Sequence, residues 1–221
     1  MPKFTLLPGG MTNQVAKNIG LKSFSKSGLK QLLSKHKSEK QTRLLKVSSE
    51  EHPDLFGFLF STGGVPMVTT YTKDKLHKRG IGGSAAVVGG IIKGLKGNDV
   101  SVLRPTEVSV EIDDELLSGA HLGTLVTTLP SLLLGLDPFW GAGTKPLRMT
   151  YVEGNPKRLT RHVAGLWIGR KGTDRGPDGL HSYRADRLNY RYDGPVVLDG
   201  EAISLGERFL VTYTPPLTFI S

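Results

Sequence analysis

The chain has 221 residues, 29 lysines and arginines against 20 aspartates and glutamates for a net charge of +9, 38% hydrophobic residues, 28 glycines, 13 prolines and no cysteine. This is the profile of a globular protein of one domain or two small ones, and its glycine and proline content implies many tight turns, which argues against an all-helical bundle. Without cysteine, disulfide scaffolds, thiolate zinc sites, iron–sulfur clusters and cysteine nucleophiles are excluded together, so any chemistry uses oxygen, nitrogen or a bound group.

The opening MPKFTLLPGG has no apolar h-region or small-residue cleavage site, so no signal peptide is expected, and the lack of cysteine suits a reducing cytoplasm. Phe4 to Leu7 reads as a short strand that stops at Pro8-Gly9-Gly10. Thr12 or Asn13 then caps a helix through Gly20, with Val15, Ala16 and Ile19 inward. A basic amphipathic helix follows at about Gly28–Lys40, its Leu29, Leu32 and Leu33 inward and its lysines outward. Residues 1–50 carry ten basic and two acidic side chains, so nearly all the net charge of +9 sits here. Such a face is either simply solvated or drawn to phosphates on a nucleotide, an anionic membrane or nucleic acid.

From Leu44 the pattern turns to β, with strands at Leu44–Val47 and Leu55–Phe60, the latter running into Thr62-Gly63-Gly64. The change of architecture places a domain boundary at residue 42. The glycine-studded segment Gly80–Gly97 contains a possible helix, and Glu107 to Asp113 alternates as a half-buried strand does. Leu116–Leu136 carries no Asp, Glu, Lys or Arg, yet its Gly119, His121, Thr124, Thr127, Thr128 and Pro130 make a buried strand at Leu122–Thr128 a better reading than a membrane span. Further strands are expected at Leu147–Val152, Leu188–Tyr192, Val196–Leu198 and Phe209–Tyr213, with a helix at about Pro156–Ile168. Asp193-Gly194 and Asp199-Gly200 are turn signals. The fold class expected is α+β, a remnant of an α/β nucleotide-binding domain over 1–42 followed by an antiparallel, sandwich-like β domain over 43–221.

There is no Walker A sequence, His-Glu-x-x-His, Gly-x-Ser-x-Gly or EF-hand loop, and the six histidines are too scattered to suggest a metal site. Gly80-Ile-Gly82-Gly-Ser-Ala85 fits a dinucleotide pattern formally but follows the charged Lys73–Arg79 rather than a strand. Leu6 to Ala16 is different, because its glycines follow a strand and open a helix, where free backbone N–H groups suit an anion. At the other end, Asp199-Gly200-Glu201 sets two carboxylates at a tight turn, where one beside bound phosphate could accept a hydroxyl proton; alone it is an ordinary polar hairpin turn.

Together these two segments resemble the lipid kinases related to diacylglycerol kinase and sphingosine kinase, which share the NAD-kinase-like architecture. Leu7–Gly20 is similar to their Pro-x-Gly-Thr-x-Asn-Asp segment and following helix, and Val197–Pro216 to their C-terminal Asp-Gly-Glu hairpin. The element order between them also agrees. The resemblance implies transfer of the ATP γ-phosphoryl group to a lipid hydroxyl, with Mg²⁺ neutralising phosphate charge. It assigns Gly9, Gly10, Thr12 and Asn13 to the nucleotide phosphates, Glu201 to the general base and Asp199 to fixing the turn. The chain departs from the family at Met11, at Gln14, and where Asp-Gly-Leu commonly supplies a metal site, since it reads Thr144-Lys145-Pro146-Leu147. No metal ligand is assigned. The family's Gly-Gly-Asp-Gly-Thr loop would belong upstream of Leu7, so an N-terminal part is expected to be missing.

Two functions are therefore expected to compete: an ATP-dependent lipid kinase incomplete as this chain, and a noncatalytic phosphate- or anionic-lipid-binding module derived from one. Expected partners are ATP and a lipid at a membrane surface, with the protein cytoplasmic or peripheral at the inner membrane face. Nucleic acid is not expected, given 7% aromatic residues and no recognisable binding motif. Unpaired edges in the N-terminal remnant predict self-association, or a second chain supplying the missing half.

Overall fold

A computed structural model describes residues 3–5, 39–64, 104–130, 137–159, 161–162 and 175–220, and almost all of their regular structure is β. Two short strands, β1 (Lys3–Phe4) and β2 (Glu39–Thr42), flank the last strand, β14 (Leu217–Ile220), in a sheet of order β1-β14-β2. β1 runs parallel to β14 and β2 antiparallel to it. The end of the chain thus returns to its beginning. The other strands form one antiparallel system: β3 (Leu45–Ser49), β4 (Leu55–Gly57), β5 (Leu59–Gly63), β6 (Thr106–Ile112), β7 (Glu115–Thr127), β8 (Leu147–Glu153), β9 (Leu180–Ala185), β10 (Leu188–Arg191), β11 (Val196–Leu198), β12 (Glu201–Ile203) and β13 (Arg208–Tyr213).

Strand β7 belongs to both halves of this system. Up to His121 it pairs with β6, and from Gly123 it lies between β5 and β8, with a register slip against β8 between those two residues. Such a bulge bends a strand and sharpens its twist. The order β4-β3-β13-β10-β6 lies on one side of the bend, with β12-β11-β5 and β8-β9 on the other, and both contribute to one core. Alternation decides what enters it: in β6, Val108, Val110 and Ile112 are buried, while Glu107, Ser109 and Glu111 are not. Phe60 of β5 has no exposed surface, and its ring lies 5.7 Å from Tyr190 on β10 and 5.8 Å from Phe209 on β13. Aromatic pairs of this kind contribute about 0.5–1.5 kcal/mol beyond the area they bury.

A polar chain crosses the bend inside the core. His121 is fully buried, with Nδ1 2.7 Å from the Thr106 carbonyl and Nε2 2.9 Å from Thr62 Oγ1. A carbonyl only accepts, so Nδ1 carries the proton and Nε2 accepts from the Thr62 hydroxyl. That hydroxyl lies 2.8 Å from Thr124 Oγ1, which in turn lies 3.1 Å from the Tyr190 hydroxyl. Burial holds the imidazole below its ordinary 6.5, against the opposing pull of the Thr106 carbonyl and the Glu107 charge. The unfolded chain therefore takes up a proton below pH 6.5 that the folded protein refuses, so stability falls as pH drops through that value. Urea midpoints are expected to decline from neutral pH towards mild acid, and His121→Gln should flatten that slope; an unchanged slope in the variant would refute the assignment.

Several sequence expectations shift. The segment Leu55–Phe60 is two strands, broken at Phe58 because its N–H is drawn away to Asp199. Leu122–Thr128 is the second half of the longer β7, whose first half is exposed enough to lack an apolar pattern. Strands β9 and β14 were not foreseen. Glu39 and Lys40 belong to β2 rather than to the end of a helix, because they pair with Ile220 and Phe219. β1, expected to lack a sheet, has β14 as a partner. The remainder of the basic segment, the helix after Thr12, Gly80–Gly97 and most of Pro156–Ile168 lie outside the described residues. Among the described residues no helix is long and apolar enough to cross a membrane.

Candidate functional site

Asp199 and Gly200 form the two-residue turn between β11 and β12, in which Leu198 pairs with Glu201. Their φ angles, 51° and 90°, are both left-handed, as a tight hairpin turn requires, and Asp and Gly are residue types that accept them. Asp199 is an exposed residue, but its carboxylate folds back onto the start of β5. Oδ1 accepts from the N–H groups of Phe58 at 2.9 Å and Leu59 at 2.8 Å, Oδ2 lies 3.1 Å from the Phe58 nitrogen, and the Asp199 N–H donates to the Leu59 carbonyl at 2.8 Å. Burial pushes this carboxyl above its ordinary value, with the Glu201 charge adding to the effect, while the Phe58 and Leu59 donors oppose it. Glu201 follows on β12, exposed at the end of the sheet order.

Gly57 makes the approach possible. A Cβ there would come within 2.7 Å of the Leu198 side chain and 2.9 Å of Asp199 Oδ2. Phe58 then fastens the hairpin to what lies below it, since its carbonyl accepts from Thr127 Oγ1 at 2.6 Å and its ring lies 6.2 Å from Phe219 on β14. Phe219 in turn lies 5.8 Å from Phe4 on β1. Leu129 and the half-buried Leu44 and Leu217 complete this second apolar cluster. Sequence reasoning identified Asp199 and Glu201 but missed Gly57, which matters because it has no Cβ, and Phe58, whose N–H and carbonyl any residue type would supply. Gly9, Gly10, Thr12 and Asn13 lie outside the described residues.

Removing the Asp199 carboxylate leaves two N–H groups without their acceptor at a partly exposed turn. Asp199→Ala is expected to cost about 1–2 kcal/mol, and Asp199→Asn less, because asparagine keeps one acceptor oxygen and tolerates the left-handed backbone. Chemical denaturation checks this, and an alanine variant as stable as the parent would contradict it.

The described side chains offer no site for the Mg²⁺ that the resemblance implies. Among the described residues no group of three or more histidine, aspartate or glutamate side chains converges as a metal site. Where the resemblance would place a metal-site aspartate stands Lys145, whose Nζ lies 2.6 Å from Asp113 Oδ2. A cationic donor has no lone pair for a metal, so these residues do not fit a resident divalent ion there.

With this geometry established, comparison with solved structures gives the fold. The chain superposes on a diacylglycerol kinase from Bacillus anthracis str. Sterne over 99% of its own length and 66% of the other's, with a TM-score of 0.60 and 11% identity. Two further structures from that organism, also described as diacylglycerol kinases, give TM-scores of 0.65 and 0.66 at 12% and 11% identity, covering 99% of this chain and 68% and 69% of theirs. The protein thus has the fold of those diacylglycerol kinases and spans about two thirds of their length. No family model matches the chain. No curated protein matches it either.

Proposed function

We propose that the protein is a lipid kinase of the diacylglycerol kinase type, which uses Mg·ATP as substrate to phosphorylate a lipid hydroxyl. The observation that carries this reading is the Asp199 carboxylate locked onto the Phe58 and Leu59 N–H groups, which fixes the turn that leads into the exposed Glu201. In the proposed step the acceptor hydroxyl gives its proton to the Glu201 carboxylate, its oxygen bonds to the γ-phosphorus, and the bond from that phosphorus to the bridging oxygen breaks to release ADP. Gly9, Gly10, Thr12 and Asn13 would bind the nucleotide phosphates.

The α+β organisation belongs to the same proposal: residues 1–42 form the nucleotide-binding part, 43–221 form the sandwich-like β part, and β14 returns to the former. The acceptor would be met at a membrane surface, with the cytoplasmic face as the site of action and the lysines of the first fifty residues drawn to anionic headgroups. A second reading, a noncatalytic module that binds phosphate or anionic lipid, is favoured by Lys145, which is paired with Asp113 where the resemblance would place a metal-site aspartate. Labelled γ-phosphate transfer from Mg·ATP to diacylglycerols, sphingosine and related lipids separates the two. Transfer supports the kinase, whereas vesicle binding without transfer supports the module.

A further inference from the structure

A second cluster of chemistry-bearing side chains stands apart from the hairpin. Asp113 occupies the two-residue turn between β6 and β7 with a left-handed φ of 53°. Its Oδ1 accepts from the backbone N–H groups of Asp186 and Arg187 in the β9–β10 connection, both at 2.9 Å, and its Oδ2 from Lys145 Nζ at 2.6 Å. The Asp113 N–H donates to the Arg187 carbonyl at 3.1 Å, and Arg187 pairs with Asp114 at 3.3 Å. Asp186 accepts from the Tyr213 hydroxyl at 2.7 Å. The Lys145 carbonyl accepts from Arg184 at 3.3 Å, so the loop entering β8 is fastened through its backbone as well. Two turns, the loop into β8 and the end of β13 therefore meet at Asp113, with Asp114 held by Arg187 and Asp186 by Tyr213 nearby, although the three carboxylates do not converge on one point.

Carboxylates brought together on neighbouring turns repel one another unless a positive charge offsets them, and a divalent cation is one way to supply it. We infer that Lys145 is a built-in cation that does the structural work of a metal ion at this junction, closing it without any divalent ion. The ammonium brings three donors and one positive charge on a four-carbon stem, anchored at fixed stoichiometry by the chain itself. Burial pushes the Asp113 carboxyl upward, but the Lys145 ammonium and the Arg187 and Asp186 N–H groups outweigh it and hold the carboxyl below its ordinary value. Contact with Asp113, aided by the charges of Asp186 and Asp114, raises the ammonium above its own. This inference stands whether or not the chain transfers phosphate.

The test is thermal unfolding of the full chain and two variants, in chelator and in millimolar CaCl₂ or MgCl₂ at matched ionic strength. The wild type is expected to melt at one temperature in all conditions. Lys145→Met should melt a few degrees lower, equally in all of them. Lys145→Asp, which adds a fourth carboxylate to the three, should melt lowest in chelator and rise past the methionine variant in Ca²⁺. A wild-type melting temperature that rises with the divalent ion would overturn the inference, as would a methionine variant as stable as the wild type. An aspartate variant that folds but gains nothing from either ion would overturn it too. Should that variant fail to fold, the comparison of wild type with Lys145→Met still decides the matter.

Discussion

Glu201→Gln is expected to lower phosphoryl transfer by about 10²–10⁴-fold, the usual contribution of a positioned general base. The substitution keeps the side chain's shape and removes only its ability to take a proton. Because Glu201 is exposed on β12, exchanging its carboxylate for an amide should change stability by no more than about 0.5 kcal/mol. Loss of transfer with an unchanged unfolding midpoint would therefore report chemistry rather than folding. Vesicle and nucleotide binding should persist, since the proposed role is exercised on the acceptor hydroxyl during transfer. A variant that transfers phosphate as fast as the wild type would remove Glu201 from the base role, and with it the main support for the kinase reading over the binding module.

Parts of this site were legible in the sequence because their physics is local. Val196–Leu198 followed by Asp199-Gly200 reads as a hairpin because those two residue types tolerate left-handed backbone, and both turn residues adopt it. Glu107–Asp113 reads as a strand from its alternation, and β6 occupies Thr106–Ile112 with the alternate residues buried. What escaped depends on distant partners. The break at Phe58 exists because a carboxylate 141 residues away takes its N–H, and no propensity within Leu55–Phe60 records that. Strand β2 is Glu-Lys-Gln-Thr, a polar run with no apolar alternation to betray a strand. Its conformation is set by pairing with β14, at the opposite end of the chain. Lys145 was visible as a departure from the family pattern, but its partner Asp113 was not, because only the folded turns bring the two together.

Gly63→Ala should be among the most damaging single substitutions, at about 3–5 kcal/mol, by combining a strained backbone with a displaced neighbouring strand. Gly63 has a φ of 72°, and a Cβ built on it would lie 2.5 Å from the Leu122 carbonyl oxygen and 2.7 Å from Gly123 Cα. Neither obstacle is a side chain that could swing aside. Relief would have to move β7 at its bulge, where Gly63 pairs with Gly123, one residue from the Thr62 and Thr124 hydroxyls that satisfy His121 and Tyr190. Gly200→Ala separates the two causes. That glycine has a φ of 90°, but a Cβ there would meet nothing within 4 Å, so it carries the backbone cost, about 1–2 kcal/mol, without the clash. Denaturant midpoints of the two variants should therefore differ widely, despite the identical chemical change. Equal losses would mean that left-handed strain alone sets both, and that the close approach of β5 to β7 yields without cost.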